Sequence, residues 1–255
     1  MTGRLDGRTA IVTGAGQGVG RGIALALAAA GASVVVAARR AQTGEPVARE
    51  IRDRGGRAVC VETDVTSREA VEAAVAAAVE EFGSLEVMVH NAFRGGRPHR
   101  LEELDDHVWR SCSGTAVWGS YHCARAAFPH LLVAGRRGRL VLVSSTAGME
   151  GSASVPAYAA VKGAQRALAK SLAREWGPHG ITVNCIAPLA DTPALEEAFA
   201  QRPELRASRL GRSALGRIGD PEADVGPVVT FLASEEGGYV TGQTLVCDGG
   251  SFTGL

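Results

Sequence analysis

The sequence predicts an α/β fold: a doubly wound, mainly parallel seven-stranded sheet with helices on both faces. Three observations predict it. Short β-branched runs alternate with longer helical stretches along the chain, the pattern of parallel strands joined by crossover helices. A glycine-rich turn, Gly14-Ala15-Gly16-Gln17-Gly18-Val19-Gly20, stands between the first such run and the first helix. No Pro/Ser-rich linker or charge block interrupts the 255 residues, so one domain spanning 1–255 is expected.

The elements follow in order. Thr9–Thr13 is a β-rich run that feeds the glycine turn, and Val19–Ala30 is helical, closed by Gly31 in the usual stop position. Ser33–Ala38 is short, apolar and β-branched, as a buried parallel strand should be. Strand, glycine turn, helix and strand within about 30 residues make a βαβ unit. Helix Glu45–Arg54 then leads to strand Arg57–Glu62, and helix Ser67–Phe82, with its Ala-rich stretch, to strand Leu85–His90. A long helix over Leu104–Phe128 precedes strand Arg139–Ser144, and a helix over Val155–Trp176 precedes strand Ile181–Ala187. A Pro- and Arg-containing excursion, Leu189–Arg217, is followed by helix Pro221–Ala233 and a last strand, Thr244–Cys247.

Composition narrows the function. Hydrophobic residues make up 45% of the chain, ample for a large core, and the formal net charge is zero, which argues against a nucleic-acid or acidic-membrane partner. Runs such as Ile23–Ala30 are too short to span a bilayer, and the first residues carry no apolar signal region. Cys60, Cys112, Cys123, Cys185 and Cys247 lack metal-ligand spacing and read as reduced, mostly buried thiols. The histidines are dispersed, so no metal site is expected; His122 and His130 read as packing or surface residues. A cytoplasmic protein is the expectation.

The stretch Tyr158-Ala159-Ala160-Val161-Lys162 carries the chemistry. On a helix, residues four apart share a face, so the Tyr158 hydroxyl and the Lys162 ammonium would look into one site. A free phenol, with a pKa near ~10, is a poor base at neutral pH, and a nearby cation favours the phenolate. Lowering it to ~7 takes about 3 units, or roughly 4 kcal/mol, which needs close approach in a partly dry site. A solvated i,i+4 pair is the plain alternative. Against it, Lys162 and Lys170 are the only lysines in a chain that otherwise uses arginine, and small residues flank the pair.

The glycine turn between strand and helix suits a dinucleotide: glycines let backbone approach phosphate, and the helix N-terminus offers free N–H groups. The turn after the second strand reads Ala38-Arg39-Arg40 and has no carboxylate to hold a ribose 2′-hydroxyl. Its arginines suit a 2′-phosphate, so NADP(H) is expected over NAD(H).

Together these residues resemble the short-chain dehydrogenase/reductase family in its compact single-domain branch, over essentially the whole chain. Thr13-Gly14-x-x-x-Gly18-x-Gly20 matches the family's cofactor loop, Asp64-Val65 its adenine contact, and Asn91-Ala92 the middle of its Asn-Asn-Ala-Gly motif. Ser145 falls where the family keeps its catalytic serine, and Tyr158-x-x-x-Lys162 is its active-site signature. Asn184 and Pro188, then Thr241-Gly242-Gln243 and Asp248-Gly249-Gly250, match later segments.

The resemblance implies a Rossmann-type fold and an oxidoreductase acting between a ketone and a secondary alcohol. Tyr158 would be the general acid/base, Ser145 would hold the substrate oxygen, and Lys162 would lower the Tyr158 pKa and bind the nicotinamide ribose. Gly14, Gln17, Gly18, Val19, Gly20, Arg39, Arg40, Asp64, Val65, Asn91, Ala92, Pro188 and Thr192 would bind cofactor, with Tyr158 and Lys162 contributing. Residues 189–217 would form a substrate lid. A homotetramer built on the long helix, the Tyr158 helix and the last strand, with Leu245 and Val246 near a partner, is also implied.

Three departures from the family pattern stand out. The motif reads His90-Asn91-Ala92-Phe93, so Phe93 either shapes the nicotinamide or substrate pocket or is a core residue. Ala116 stands where many members carry a catalytic asparagine, leaving Thr115 or an ordered water to substitute. Pro188-Leu189 replaces Pro-Gly, and the stretch to Thr192 is one residue short, which bears on the carboxamide contacts and the lid. An altered pocket leaves room for a non-redox isomerisation or dehydration, or for a cofactor-binding regulator. The Arg97, His99 and Arg100 cluster reads as a solvated loop or as a contact for an acidic substrate.

Overall fold

Ala10 and Val12 of strand β1 (Thr9–Thr13) pack into one apolar cluster and Ile11 between them into another. That alternation follows from the two-residue period of a strand, and a run apolar on both sides must be covered on both sides. The computed structural model, which describes residues 3–95 and 100–254, shows the covering; Arg97 and His99 lie outside the described residues. Helices α1 (Gly18–Ala29), α2 (Ala41–Asp53) and α10 (Gly226–Ala233) cover one face, and α3 (Arg68–Phe82), α5 (Gly119–Ala134) and α7 (Pro156–Trp176) the other.

The remaining strands are β2 (Ser33–Ala38), β3 (Arg57–Glu62), β4 (Val87–His90), β5 (Arg139–Val143), β6 (Thr182–Pro188) and β7 (Thr244–Cys247). They form one seven-stranded sheet in the order β3-β2-β1-β4-β5-β6-β7, every pair parallel. Strand order reverses between β1 and β4, and a crevice outside the carboxyl ends of such strands is where open α/β sheets bind ligands. No helix among the described residues is long and apolar enough to cross a membrane.

Most expected boundaries hold within two residues; four do not. One is the helix expected over Pro221–Ala233, whose first turn, Pro221–Val225, is π-helical and only then passes into α10. Helix α2 begins at Ala41 instead of Glu45, so that Gly44 as well as Pro46 lies inside it. Gly44 is there for proximity: a Cβ would meet Cys60 Sγ at 2.5 Å and Ala38 Cβ at 2.8 Å. The long helix expected over 104–128 is α4 (Asp106–Ser113), a π-helical turn (Gly114–Trp118) and α5, which runs past Pro129 to Ala134. Last, the excursion 189–217 folds into two helices, α8 (Pro193–Gln201) and α9 (Pro203–Arg212), each opened by a proline at its first position.

Candidate active site

The glycine loop leaves β1 and lies directly on the end of β4. Gly14 has φ +65°, and a Cβ there would sit 2.8 Å from Ala92 Cα. At Gly20 a Cβ would meet Gly14 O and Asn91 Nδ2, both at 2.4 Å, so α1 can start this close only without side chains. Gln17 precedes α1 without a side-chain cap, leaving first-turn N–H groups for a ligand. Thr13 Oγ1 accepts the N–H groups of Asn91 and Ala92 at 3.1 Å, and Asn91 Nδ2 donates to Thr13 O and Gly14 O, locking the loop to β4. This cradle fits a dinucleotide's phosphates.

A cavity of about 1380 Å³ runs from this loop in two directions. One end holds Ala38, Arg39, Arg40, Asp64 and Val65. Neither Arg39 nor Arg40 has an ion-pair partner among the described residues, and both are exposed. Burial opposes ionisation of Asp64, but hydrogen bonds from Thr66 and the charges of Arg39 and Arg94 outweigh it and lower its pKa.

The other end holds Ser145, Tyr158 and Lys162. Ser144 Oγ donates to Lys162 O at 2.9 Å, which ties the end of β5 to α7 and brings Ser145 alongside. The short helix α6 (Ala147–Glu150) presses on α7, where a Cβ on Gly148 would meet Gly163 N at 2.6 Å. Ser145 stands by the Tyr158 hydroxyl in this end of the cavity, its own Oγ accepting the Ala147 N–H at 3.2 Å. Lys162 is 3% exposed; its Nζ donates to Val143 O at 2.6 Å and Gln165 Oε1 at 3.0 Å. Burial pushes its pKa down to about 7.

Lys162 is expected to lower the Tyr158 pKa, and in the structure that pKa is raised. Burial raises it, and the neighbouring Ser145 and the Arg209 charge offset this only in part. Lys162 Nζ has two protein acceptors and lies over the Phe93 ring, 4.8 Å from its centroid, and over the Tyr158 ring at 5.7 Å, without bonding the Tyr158 hydroxyl. An ammonium that itself titrates near neutrality also supplies little field to its neighbour. Phe93 stands edge-on to Tyr158 at 5.1 Å and lines the cavity while also packing on the apolar cluster of Cys112, Ala116, Ala157 and Val161, so it is a pocket wall and a packing residue at once.

Ala116 is fully buried in the π-helical turn, a feature frequent at functional sites. Its carbonyl accepts Ser120 Oγ at 2.6 Å and Gln165 Nε2 at 3.4 Å, and Gln165 Nε2 also donates to Ser120 Oγ at 2.9 Å. Thr115 Oγ1 is committed to backbone, donating to Ser111 O at 2.9 Å. The polar group beside Lys162 is therefore Gln165, which the sequence reading missed. Its signal was the three-residue spacing from Lys162 on the same helical face.

His90 is wholly buried between β1 and the π-helical turn. Its Nε2 must donate to Thr115 O at 3.1 Å, since a carbonyl only accepts. Nδ1 is then the acceptor for the Thr13 hydroxyl at 3.1 Å, whose oxygen is already receiving two backbone N–H groups. Burial, aided by the Lys162 charge, pushes the His90 pKa down to about 3. An unfolded histidine titrates near ~6.5, so this contribution is full above that pH and is lost as pH falls from there toward 3. Stability should drop by about 1.4 kcal/mol per pH unit in that window. Denaturant midpoints at pH 7 and 5 would check this: His90→Asn should flatten the slope, and an equal slope would refute it.

Of the expected site residues, all line the one cavity except Gly18, which backs it. A Cβ on Gly18 would touch Thr192 Cγ2 at 3.2 Å, so the short stretch after Pro188 still brings Thr192 to the glycine loop, where it caps α8. Asn184 lies away from the cavity and clamps the next turn, bonding Val240 O and the Gln243 N–H. Asp248 holds the N–H groups of Gly250, Ser251 and Phe252. His122 bonds Val65 O at 2.9 Å and touches Trp118 and Tyr121, a packing role. No disulfide joins the cysteines among the described residues, and Cys112, Cys123 and Cys185 are buried.

The chain is similar to known proteins over nearly its whole length. The family described as enoyl-(acyl carrier protein) reductase matches residues 14–251. The chain is 40% identical to the short-chain reductase protein NovJ of Streptomyces niveus, over 94% of this chain and 92% of that protein. It is 39% identical to cis-4-hydroxycyclohexanecarboxylate dehydrogenase of Sinomonas cyclohexanicum, over 95% and 96%. Among solved structures, a 7α-hydroxysteroid dehydrogenase complexed with NADH and 7-oxo glycochenodeoxycholic acid superposes with a TM-score of 0.92 at 33% identity, over 99% of this chain and 97% of that one.

Proposed function

The chain belongs to the short-chain dehydrogenase/reductase family, and on that premise we propose that it is an NADP(H)-dependent oxidoreductase interconverting a ketone and a secondary alcohol. The observation that carries this reading is that Ser145, Tyr158 and Lys162 line the same cavity as the glycine cradle. Both of the relatives named by their substrates act, by those names, on ring-borne hydroxyl groups.

Bound in the cradle, the cofactor supplies or takes up the hydride. The protein does the rest. Tyr158 gives its proton to the substrate oxygen in reduction and takes it back in oxidation. Ser145 donates to the same oxygen and holds it within reach, stabilising the charge that develops there. Lys162, held by Val143 O and Gln165 at the wall of the cavity, has one proton left with which it would bind the cofactor's ribose. Phe93 walls off water beside Tyr158. Gly14, Gln17, Gly18, Val19, Gly20, Asn91, Ala92, Pro188 and Thr192 seat the cofactor, Asp64 and Val65 its adenine, and Arg39 and Arg40 a 2′-phosphate. Residues 189–217, with α8 and α9, close over the substrate.

One assay tests both parts: loss of NADPH absorbance on adding cyclic and linear ketones, run beside NADH. Stoichiometric loss with NADPH favoured is expected. No reduction of any ketone would remove the redox reading, and a preference for NADH would remove the 2′-phosphate assignment.

We further place the protein in the cytoplasm, in keeping with its buried thiols, and as a homotetramer. Trp109, Trp118, Tyr121 and Val133 are exposed along α4 and α5, and β7 is an edge strand beside the exposed Tyr239. A light-scattering mass of a single chain would reject the tetramer.

A further inference from the structure

Helix α9 turns one face to the reactive end of the cavity. Leu205, Ser208, Arg209 and Arg212, at i, i+3, i+4 and i+7, all line it, and Arg202 lines it just ahead of the helix. Arg206 faces elsewhere, its guanidinium over the Phe199 ring at 5.9 Å. The charge of Arg209 reaches the Tyr158 hydroxyl, which places this face near the reacting atoms.

The positive charge here is unbalanced. The cavity's carboxylates are Asp64, Glu150 and Asp248. Asp64 is bonded to Thr66 at the far end, and Asp248 accepts three backbone N–H groups. Glu150 stands 3.8 Å from Arg212. Among the described residues, Arg202 and Arg209 have no ion-pair partner. In a chain of zero net charge, two free guanidinium groups on one lid face are a local arrangement and not a bulk bias.

We propose that Arg202 and Arg209 bind an anionic group on the substrate, so that the enzyme's proper substrates are ketones or alcohols bearing a carboxylate or a phosphate. This deepens the oxidoreductase reading and rests on it for the carbonyl. Guanidinium groups match both anions through paired N–H donors and steer them to a cleft of one sign. A carboxylate would be part of a small keto acid; a phosphate would belong to a thioester carrier.

The test is calorimetric titration of the enzyme loaded with NADP⁺, a complex that cannot reduce ketones. The probes are 4-acetylbenzoate, its methyl ester and acetoacetyl-coenzyme A. One anionic probe should bind roughly tenfold tighter than the ester, the scale of one exposed charge-assisted contact. Which of the two does so identifies the source. The gap should close in Arg202→Gln and Arg209→Gln and in 0.5 M salt (about a 4 Å screening length), and persist in Arg206→Gln. Equal binding of all three probes, or a gap that survives both substitutions, overturns the proposal. So does an equal loss of NADPH affinity in the two variants, which would assign the arginines to the cofactor. If the gap behaves as expected but no ketone is ever reduced by NADPH, the anion site stands and the redox reading falls.

Discussion

Tyr158→Phe should abolish ketone reduction while leaving NADPH binding nearly intact. The substitution keeps the ring and its edge-on contact with Phe93 at 5.1 Å, so the wall of the pocket survives. It removes the hydroxyl and with it the proton destined for the substrate oxygen. General acid–base assistance is typically worth ~10²–10⁴-fold, so kcat should fall by at least that much. The raised pKa adds a direction. In the free enzyme Tyr158 stays protonated beyond the usual phenol range, so kcat/KM for reduction should hold into alkaline pH. Oxidation, which needs the phenolate, should rise with pH instead. Steady-state kinetics in both directions across pH 6–10 would show this; full activity in Tyr158→Phe would end the mechanism.

Lys162→Met should weaken both turnover and cofactor binding, unlike the tyrosine variant. A charge-assisted hydrogen bond contributes about 1.5–3 kcal/mol, so NADPH affinity should fall roughly 10- to 100-fold. With its pKa near 7, Lys162 loses its charge as pH rises through neutrality. Affinity of the wild type for the anionic cofactor should therefore decline above about pH 7, with a slope that Lys162→Met lacks. Fluorescence titration from pH 6 to 9 measures it. The substitution leaves Val143 O and Gln165 Oε1 without their donor, so Lys162→Met/Gln165→Leu is the companion that removes part of that cost. If both variants bind NADPH as the wild type does, Lys162 has no ribose contact.

How far this could be read without coordinates depended on the range of the interaction. The alternation of strand and helix, the glycine turn after β1 and the Tyr158–Lys162 spacing are local patterns, and local patterns are written in consecutive residues. They determined the sheet, the order of its elements and the floor of the cavity, with β1, β2, β3 and β7 correct to the residue. The misses at Gly44 and Pro129 have one cause: packing overrode helix propensity, and propensity is weak beside close contact with a sheet. The direction of the Tyr158 pKa shift was out of reach for a deeper reason. It depends on how much water the fold removes and on where Lys162 Nζ finds its acceptors, Val143 O from β5 and Gln165 from α7. Likewise, that Gln165 and Ser120 meet over the Ala116 carbonyl, and that α9 turns Arg209 toward Tyr158, are facts about elements distant in sequence. The sequence alone determined which groups are present and which lie on a shared helical face. Only tertiary structure decided which of them are dry, which are paired and which are left free to bind, because burial and charge pairing are summed over everything that packs nearby.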